Sequence, residues 1–134
     1  MIFVPSDFQS VSTIPIKIGL NRAHKLEGEF KRHLSPLTVK KLLSIFPING
    51  RINSYYCKFI YVQVGLQLGS EKPINIFKKG DLAFSPLGNF ICIFLDDATL
   101  NQKLNLLGKV TSENVDILQS FKVGDYLSFE KSPN

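Results

Sequence analysis

Arg51 is the residue that the sequence places best for holding a polar ligand. It lies between Gly50 and Ile52, in an irregular stretch that precedes a run rich in aromatic residues. A guanidinium offers planar, fixed donors, so from this position it would reach over a sheet towards a peptide carbonyl or amide. The alternative is an ordinary surface arginine that donates to loop carbonyls. The sequence leaves both interpretations open.

Other residue types that do chemistry are few and poorly spaced for it. The histidines, His24 and His33, stand beside basic residues near a predicted hairpin, which is typical of exposed histidines and not of a triad. Asp96 and Asp97 are adjacent, and neighbouring residues of a strand point to opposite faces, so these carboxylates are expected to begin a turn. The chain also lacks a glycine-rich phosphate loop. No hydrolase is indicated.

The two cysteines, Cys57 and Cys92, each lie in an apolar, strand-like run, away from a second cysteine or a histidine at ligand spacing. This pattern predicts two buried free thiols, no metal and no cofactor. Apolar runs fall far short of the roughly 20 residues that span a bilayer, and no basic residue precedes the apolar start of the chain. We expect a cytoplasmic protein without a membrane partner.

Positive charge is concentrated near the N-terminal side. The formal net charge is +5, and residues 16–41 hold seven basic residues against only Glu27 and Glu29. This stretch lacks interleaved aromatic side chains on which bases would stack, so a solvated face is favoured over nucleic-acid binding. The predicted basic patch consists of Lys17, Arg22, Lys25, Lys31 and Arg32.

The elements that must position these residues are mostly strands. The 134 residues, 44% of them hydrophobic, suffice for one core. Residues 1–13 show no sustained period and are predicted to be an N-terminal arm, with a single domain over residues 14–134. Alternating apolar residues from Ile14 to Leu20 predict a strand, which returns through Leu26 to Phe30 as a hairpin. Ser35 and Pro36 then begin a helix that ends before Pro47.

Further strands follow this helix. Residues 48–54 look irregular, 55–64 predict a strand, and 65–79 predict a long loop with a short apolar stretch at 74–77. Three more strands, a short helix at 112–119 and a last strand at 126–130 complete the chain. Seven or eight mostly antiparallel strands with two helices favour a closed barrel, since closure leaves few exposed edges. The predicted core consists of Leu42, Phe46, Ile91, Ile93, Phe94, Leu106 and Val110.

The segment Gly80–Leu95 carries a specific pattern. It has Gly-Asp, an apolar residue, an aromatic residue two positions further on, a proline, a glycine and an apolar strand centred on cysteine and phenylalanine. This pattern resembles the signature of the small prokaryotic cyclophilin-like proteins, a family of uncharacterised function. Similar stretches at residues 47–53 and 107–110 extend the resemblance over about residues 14–130. It implies a mainly β fold, a cyclophilin-like closed barrel.

The related peptidyl-prolyl isomerases have the same order of elements. Arg51 resembles their arginine, and Phe90 resembles the phenylalanine of their proline pocket. The apolar part of such a groove would also include Phe84, Leu104 and Leu106. The resemblance thus implies a ligand-binding groove of five residues, in which Arg51 is the candidate catalytic group.

Three features of an isomerase site are missing. Leu104 stands where the pocket histidine is expected, Phe59 stands where a glutamine is expected, and the chain has no tryptophan. The resemblance therefore implies a non-catalytic module that binds an extended peptide or small ligand near Arg51 and Phe90. Two alternatives stay open: a weak peptidyl-prolyl cis-trans isomerase, and a nucleic-acid binder that uses the basic patch. The sequence does not name the ligand or the oligomeric state.

Overall fold

The computed structural model describes residues 12–133. Most of the predicted arm, residues 1–13, lies outside the described residues, and Thr13 already belongs to the first strand. Strands β1 (Thr13–Leu20) and β2 (His24–Lys31) form the predicted antiparallel hairpin. The alternating isoleucines of β1 are buried, as the two-residue period predicts.

Helix α1 (Pro36–Ser44) begins at the predicted place, with proline in its first turn. The hydroxyl of Ser35 does not cap it, because that hydroxyl donates to the carbonyl of Leu106 at 2.8 Å. The Glu71 carboxylate caps the helix instead, accepting the N–H of Leu37 at 3.0 Å and that of Thr38 at 2.6 Å. A residue distant in sequence thus replaces the expected local cap.

The region after α1 differs from its prediction. The stretch expected to be irregular forms two short strands, β3 (Ile48–Arg51) and β4 (Asn53–Tyr55), and the next strand, β5 (Phe59–Gln63), begins later than expected. Tyr56 and Cys57 form the turn between β4 and β5, with φ of +49° and +58°. The aromatic residues around this turn favour a continuous strand, but the chain reverses at the turn so that β4 pairs with β5. Cys57 is therefore exposed, which corrects its predicted burial.

The second half of the chain supplies the remaining elements. The apolar stretch in the predicted loop is a strand that pairs with Ala98–Val110, and this long strand begins earlier than predicted. The elements are β6 (Ile74–Phe77), β7 (Asp81–Ser85), β8 (Phe90–Phe94), β9 (Ala98–Val110), a 3₁₀ helix (Glu113–Ser120) and β10 (Tyr126–Lys131).

The fold is mainly β, with an antiparallel sheet of ten strands in the described residues instead of about eight. Its order is β3-β10-β1-β2-β9-β7-β8-β5-β4, and β6 pairs with β9. The predicted closed barrel is not confirmed, because β3 and β4, the two ends of this order, are not joined by hydrogen bonds in residues 12–133. One residue, Ile52, separates these two strands, which is too short a link for them to turn and pair side by side.

Two apolar clusters flank the β7–β8 part of the sheet. The inner cluster includes Ile91 and Ile93, and the outer aromatic cluster includes Phe94, Phe59 and Phe77. Because both faces of β8 are covered, all five of its residues are buried. Leu42, Ile91, Ile93 and Phe94 are buried as predicted. The predicted core residues at the margins of the clusters are only half-buried: Phe46, Leu106 and Val110.

Candidate functional site

The five residues expected to line one groove lie in different surroundings. Phe84 is buried in the inner cluster, whereas Phe90 and Leu104 are buried in the outer aromatic cluster, with Leu106 packed against it. Arg51 is exposed and belongs to neither cluster. The structure does not bring these five side chains together.

Strand register explains this separation. Phe84 pairs with Ile91, and the next pair along the ladder is Ser85 with Phe90. Successive residues of a strand point to opposite faces of the sheet, so Phe84 and Phe90 lie on opposite sides of it. A resemblance in sequence did not reveal this parity, because it depends on which residues pair between β7 and β8.

Arg51 contacts the protein's own chain. Its Nη1 donates to the carbonyl of Gly124 at 3.0 Å, and its Cζ lies 4.8 Å from the ring centroid of Tyr126. Tyr126 is also its partner in the β3–β10 pairing. This is the surface arginine that bonds a loop carbonyl, with a cation–π contact in addition.

A groove lies beside Tyr126, on the outer face of β2, β1, β10 and β3. Its volume is about 720 Å³. Strand pairing places one residue from each strand in a row across this face, namely Lys25, Gly19, Ser128 and Asn49. All four of these residues line the groove, and its other lining residues are Asn21, Arg22, Pro47, Tyr126 and Glu130.

Gly19 and Ser128 are small residues that form the floor of this groove. A Cβ atom on Gly19 would lie 2.6 Å from the hydroxyl oxygen of Ser128, so that position has no room for a larger residue as it stands. Long side chains flank the two positions, with Tyr126 on one side along β10 and Glu130 on the other. The depth of the groove follows from this contrast in side-chain size.

The hairpin tip at one end of the groove is fastened to β10. Asn21 donates its N–H to the carbonyl of Tyr126 at 2.9 Å and accepts the N–H of Tyr126 on its side chain at 2.8 Å. Asn21 and Arg22 have φ of +53° and +62°, and Ala23 donates to the carbonyl of Leu20 at 3.0 Å, as in a type I′ turn. Arg22 is therefore held in a left-handed conformation that costs free energy for any residue but glycine.

The predicted basic patch is divided by the carboxylates around it. Lys17 stands between Glu27 and Glu130 in the strand pairing, and Lys31 forms an ion pair with Glu29 at 3.3 Å. The half-buried Arg32 follows β2 directly. By contrast, the two cations that line the groove form no ion pair within residues 12–133: Arg22 and Lys25.

Sequence reasoning missed the groove residues of β3 and β10. Asn49, Ser128 and Glu130 are polar residues on strands whose alternate residues are buried, and nothing local sets them apart. The pairing of β1 with β10 brings them beside the hairpin. The available signal was the alternation of polar and apolar residues in the last strand, which shows a solvated face but not what lies next to it.

A second polar cluster links α1 to β9 and to the long loop between β5 and β6. The buried Asn105 donates to the hydroxyl of Thr38 at 3.1 Å and to the carbonyl of Gly69 at 2.9 Å, and accepts the N–H of Glu71 at 2.8 Å. Desolvation by itself would raise the pKa of Glu71. Hydrogen bonds from Thr38 and Leu37 outweigh it, so the pKa lies below its ordinary value. Each of these partners belongs to the protein, which makes the cluster structural.

Two other titratable groups in the described residues have a pKa that burial raises. Burial raises the pKa of the Cys92 thiol, whose Sγ lies 3.5 Å from the carbonyl oxygen of Ala83. Burial also raises the pKa of Asp81, which accepts the N–H of Lys78. No group of three or more potential metal ligands is found in the described part of the chain. No helix among residues 12–133 is long and apolar enough to cross a bilayer.

Comparison with known proteins relates this architecture to two solved structures. The solution structure of the hypothetical protein AF2241 from Archaeoglobus fulgidus aligns with a TM-score of 0.74 and 20% identity, over 90% of this chain and 96% of that one. The structure of McbB in complex with tryptophan aligns with a TM-score of 0.73 and 13% identity, over 89% of this chain and 45% of McbB. These likenesses concern the fold.

Sequence comparison is more specific about the family. No curated protein sequence matches the chain. The family model described as "Cyclophilin-like" matches residues 13–130, which is nearly the whole of the region described by the structure. Strands β1–β9, helix α1, the 3₁₀ helix and the segment Gly80–Leu95 that carried the resemblance lie within this match, as do all but the last residue of β10. The chain therefore belongs to the cyclophilin-like family.

Proposed function

We propose that this chain is a non-catalytic binding module that takes a small polar ligand in the groove on the outer face of β2, β1, β10 and β3. One observation carries the proposal. Five side chains from three of these strands and the hairpin turn line this groove without a hydrogen bond or ion pair to the rest of residues 12–133: Arg22, Lys25, Asn49, Ser128 and Glu130.

The size of the groove favours a small ligand over a long peptide. Its volume of about 720 Å³ falls within the roughly 300–1,000 Å³ typical of small-molecule sites. A ligand there would meet donors from Lys25 and Arg22 and both donors and acceptors from Asn49 and Ser128. These groups converge on one space, which is how binding sites fix the orientation of a ligand.

Prolyl isomerisation is less well supported by the same geometry. A catalyst needs an accessible apolar slot and a donor aimed at the twisting amide. Phe84 and Phe90 are buried on opposite faces of the sheet, and the Arg51 guanidinium already donates to Gly124. Nucleic-acid binding is less well supported too, because carboxylates stand beside Lys17 and Lys31.

Backbone amide shifts of ¹⁵N-labelled protein test the proposal. The probes are benzoate, benzamide and benzylammonium, which share one ring and differ in charge, together with an Ala-Pro peptide and a single-stranded oligonucleotide. We expect at least one ring probe to shift the amides of Gly19, Asn21, Tyr126 and Ser128 at millimolar concentration. The proposal is wrong if the shifted amides lie elsewhere or if no probe shifts them.

Two matched variants separate the groove from the rest of the sheet. Ser128→Leu places a larger side chain on the groove floor and should abolish these shifts, whereas Thr99→Leu, at an exposed position of β9, should leave them unchanged. Exchange between the cis and trans forms of the Ala-Pro peptide is measured in parallel. Robust acceleration that disappears in Arg51→Ala would favour the isomerase alternative.

A further inference from the structure

Building on this proposed function, we infer that the groove selects a small aromatic carboxylate. The carboxylate lies between Arg22 and Lys25, and the ring packs along Tyr126. The chemical class that these groups recognise is an anion attached to a flat apolar part. Three separate observations support this inference: the distribution of charge along the groove, the backbone conformation of Arg22 and the exposed ring of Tyr126.

The charge distribution along the groove is uneven. At its hairpin end, Lys25 faces Gly19 in the strand pairing and Arg22 projects from the turn, so neither cation has a carboxylate as its cross-strand neighbour. Glu130 lines the other end, and its cross-strand partner is Lys17. None of these three groups forms an ion pair in the described residues, but a lysine stands opposite the groove carboxylate, whereas a glycine stands opposite Lys25. An anionic group of a ligand would form charge-assisted hydrogen bonds with Arg22 and Lys25.

Arg22 occupies a turn position at which glycine is the usual residue. Type I′ turns favour Asn-Gly, and the chain has Asn21 followed by Arg22 at φ of +62°. Glycine at the second position would relieve the strain of the left-handed conformation without altering the two hydrogen bonds between Asn21 and Tyr126. A costly conformation that presents a charged side chain to a groove points to a role for that charge outside stability.

Tyr126 supplies the flat surface. It is 50% exposed although it lies within a paired strand, and Arg51 rests 4.8 Å from its ring centroid. Arg51 does not line the groove, so the guanidinium braces the ring while leaving part of it to a ligand. Asp125 precedes Tyr126, but its carboxylate accepts the N–H of Lys122 at 2.8 Å in a turn of its own. Arg51 is thus a positioning residue for the ring.

Affinities of the three ring probes test the selection by charge. At low salt we expect benzoate to bind at least about threefold more tightly than benzamide, and benzylammonium to bind most weakly. Arg22→Gly, which suits the turn, should remove much of this preference, and so should Lys25→Gln. Lys40→Gln, on the exposed side of α1, is the control and should leave the preference unchanged.

Charge reversal and ring removal complete the test. In the Arg22→Glu/Lys25→Glu double variant the preference should invert in favour of benzylammonium, a result that mere loss of structure would not produce. Tyr126→Ser should weaken the binding of benzoate without weakening the binding of acetate, which has no ring. Equal binding of benzoate and benzamide to the groove would overturn the selection by charge while leaving the proposed function intact. Absence of groove shifts with every ring probe would overturn the proposed function itself.

Discussion

Glu71 fastens a long loop to the start of helix α1. Its carboxylate accepts backbone N–H groups of Leu37 and Thr38, which no residue within the helix can satisfy. The negative charge also lies at the positive end of the helix dipole. Asn105 holds the Glu71 backbone in place, so helix, loop and strand β9 depend on one side chain.

Replacing Glu71 by glutamine should lower the free energy of unfolding by about 0.5–1 kcal/mol at pH 7, since the charge is lost and one acceptor becomes a donor. The pKa of Glu71 is lowered by folding, so its stabilisation is present above the unfolded pKa and is lost as the pH falls through the folded pKa. Urea unfolding should therefore show a difference between wild type and Glu71→Gln at pH 7 that shrinks in acid. The control is Glu130→Gln, whose carboxylate has no hydrogen bond in the described residues; an equal loss there would contradict the assignment.

The two cysteines should react at different rates. Cys57 is exposed in the turn between β4 and β5, whereas Cys92 is buried and burial raises the pKa of its thiol. The thiolate is the reactive form, so a thiol reagent should modify one cysteine of the native protein quickly and the second only on unfolding. Counting modified thiols by mass spectrometry in wild type and Cys57→Ser checks this. Rapid modification of native Cys57→Ser would show that Cys92 is accessible.

Strand β8 is the element on which both apolar clusters converge. Phe94 projects into the outer aromatic cluster, stacked on Phe77 with ring centroids 4.4 Å apart and tilted against Phe59 at 5.1 Å. The alternate residues Ile91 and Ile93 enter the inner cluster. Because both faces of β8 are closely packed, we expect a change of side chain on either face to lower the stability of the protein.

Truncation of Phe94 to alanine should cost about 3–5 kcal/mol, the usual range for a buried phenylalanine that leaves a cavity. Leu106→Ala is the comparison, because that side chain is only half-buried at the margin of the same cluster, and its truncation should cost about 1–2 kcal/mol. Chemical denaturation of both variants measures the two losses. A cost for Phe94→Ala no larger than that for Leu106→Ala would place the centre of the cluster elsewhere.

At the scale of the whole molecule, β3 at one end of the sheet packs against β5, the strand next to the other end. Strands β3 and β5 are not hydrogen-bonded to each other in the described residues, yet a Cβ atom on Gly50 would overlap Cγ1 of Val62. Because Gly50 has no side chain, Val62 has room to pack against it and forms the seam between β3 and β5. Here β3 and β5 meet through side-chain contact, without ladder hydrogen bonds between them in the described residues.

Gly50→Ala should therefore lower stability by about 1–3 kcal/mol through overpacking of the seam. Val62→Ala in the same chain should recover much of this loss, giving a favourable coupling of about 1 kcal/mol or more in a double-mutant cycle. Gly65→Ala is the matched control, since a Cβ atom there has no heavy atom within 4 Å. Strictly additive effects of the two changes would mean that the seam does not close through this contact.

Local patterns in the sequence predicted much of the fold. The alternation from Ile14 to Leu20, the Ser-Pro start of α1 and the last strand were all recognisable, because each depends on neighbours within one element. The segment Gly80–Leu95 was enough to identify the family. The same local logic failed at Tyr56 and Cys57, where a left-handed turn interrupts residues of high strand propensity.

The candidate site depended on the tertiary structure. Ser128 and Asn49 adjoin Gly19 only because β10 inserts between β1 and β3, and Phe84 is separated from Phe90 only because of the register between β7 and β8. Sequence determined which residues of each strand share a face, since that follows from a period of two. Which faces then adjoin depends on pairing between distant strands, where a shift of one residue exchanges the two faces, and no local pattern encodes that choice.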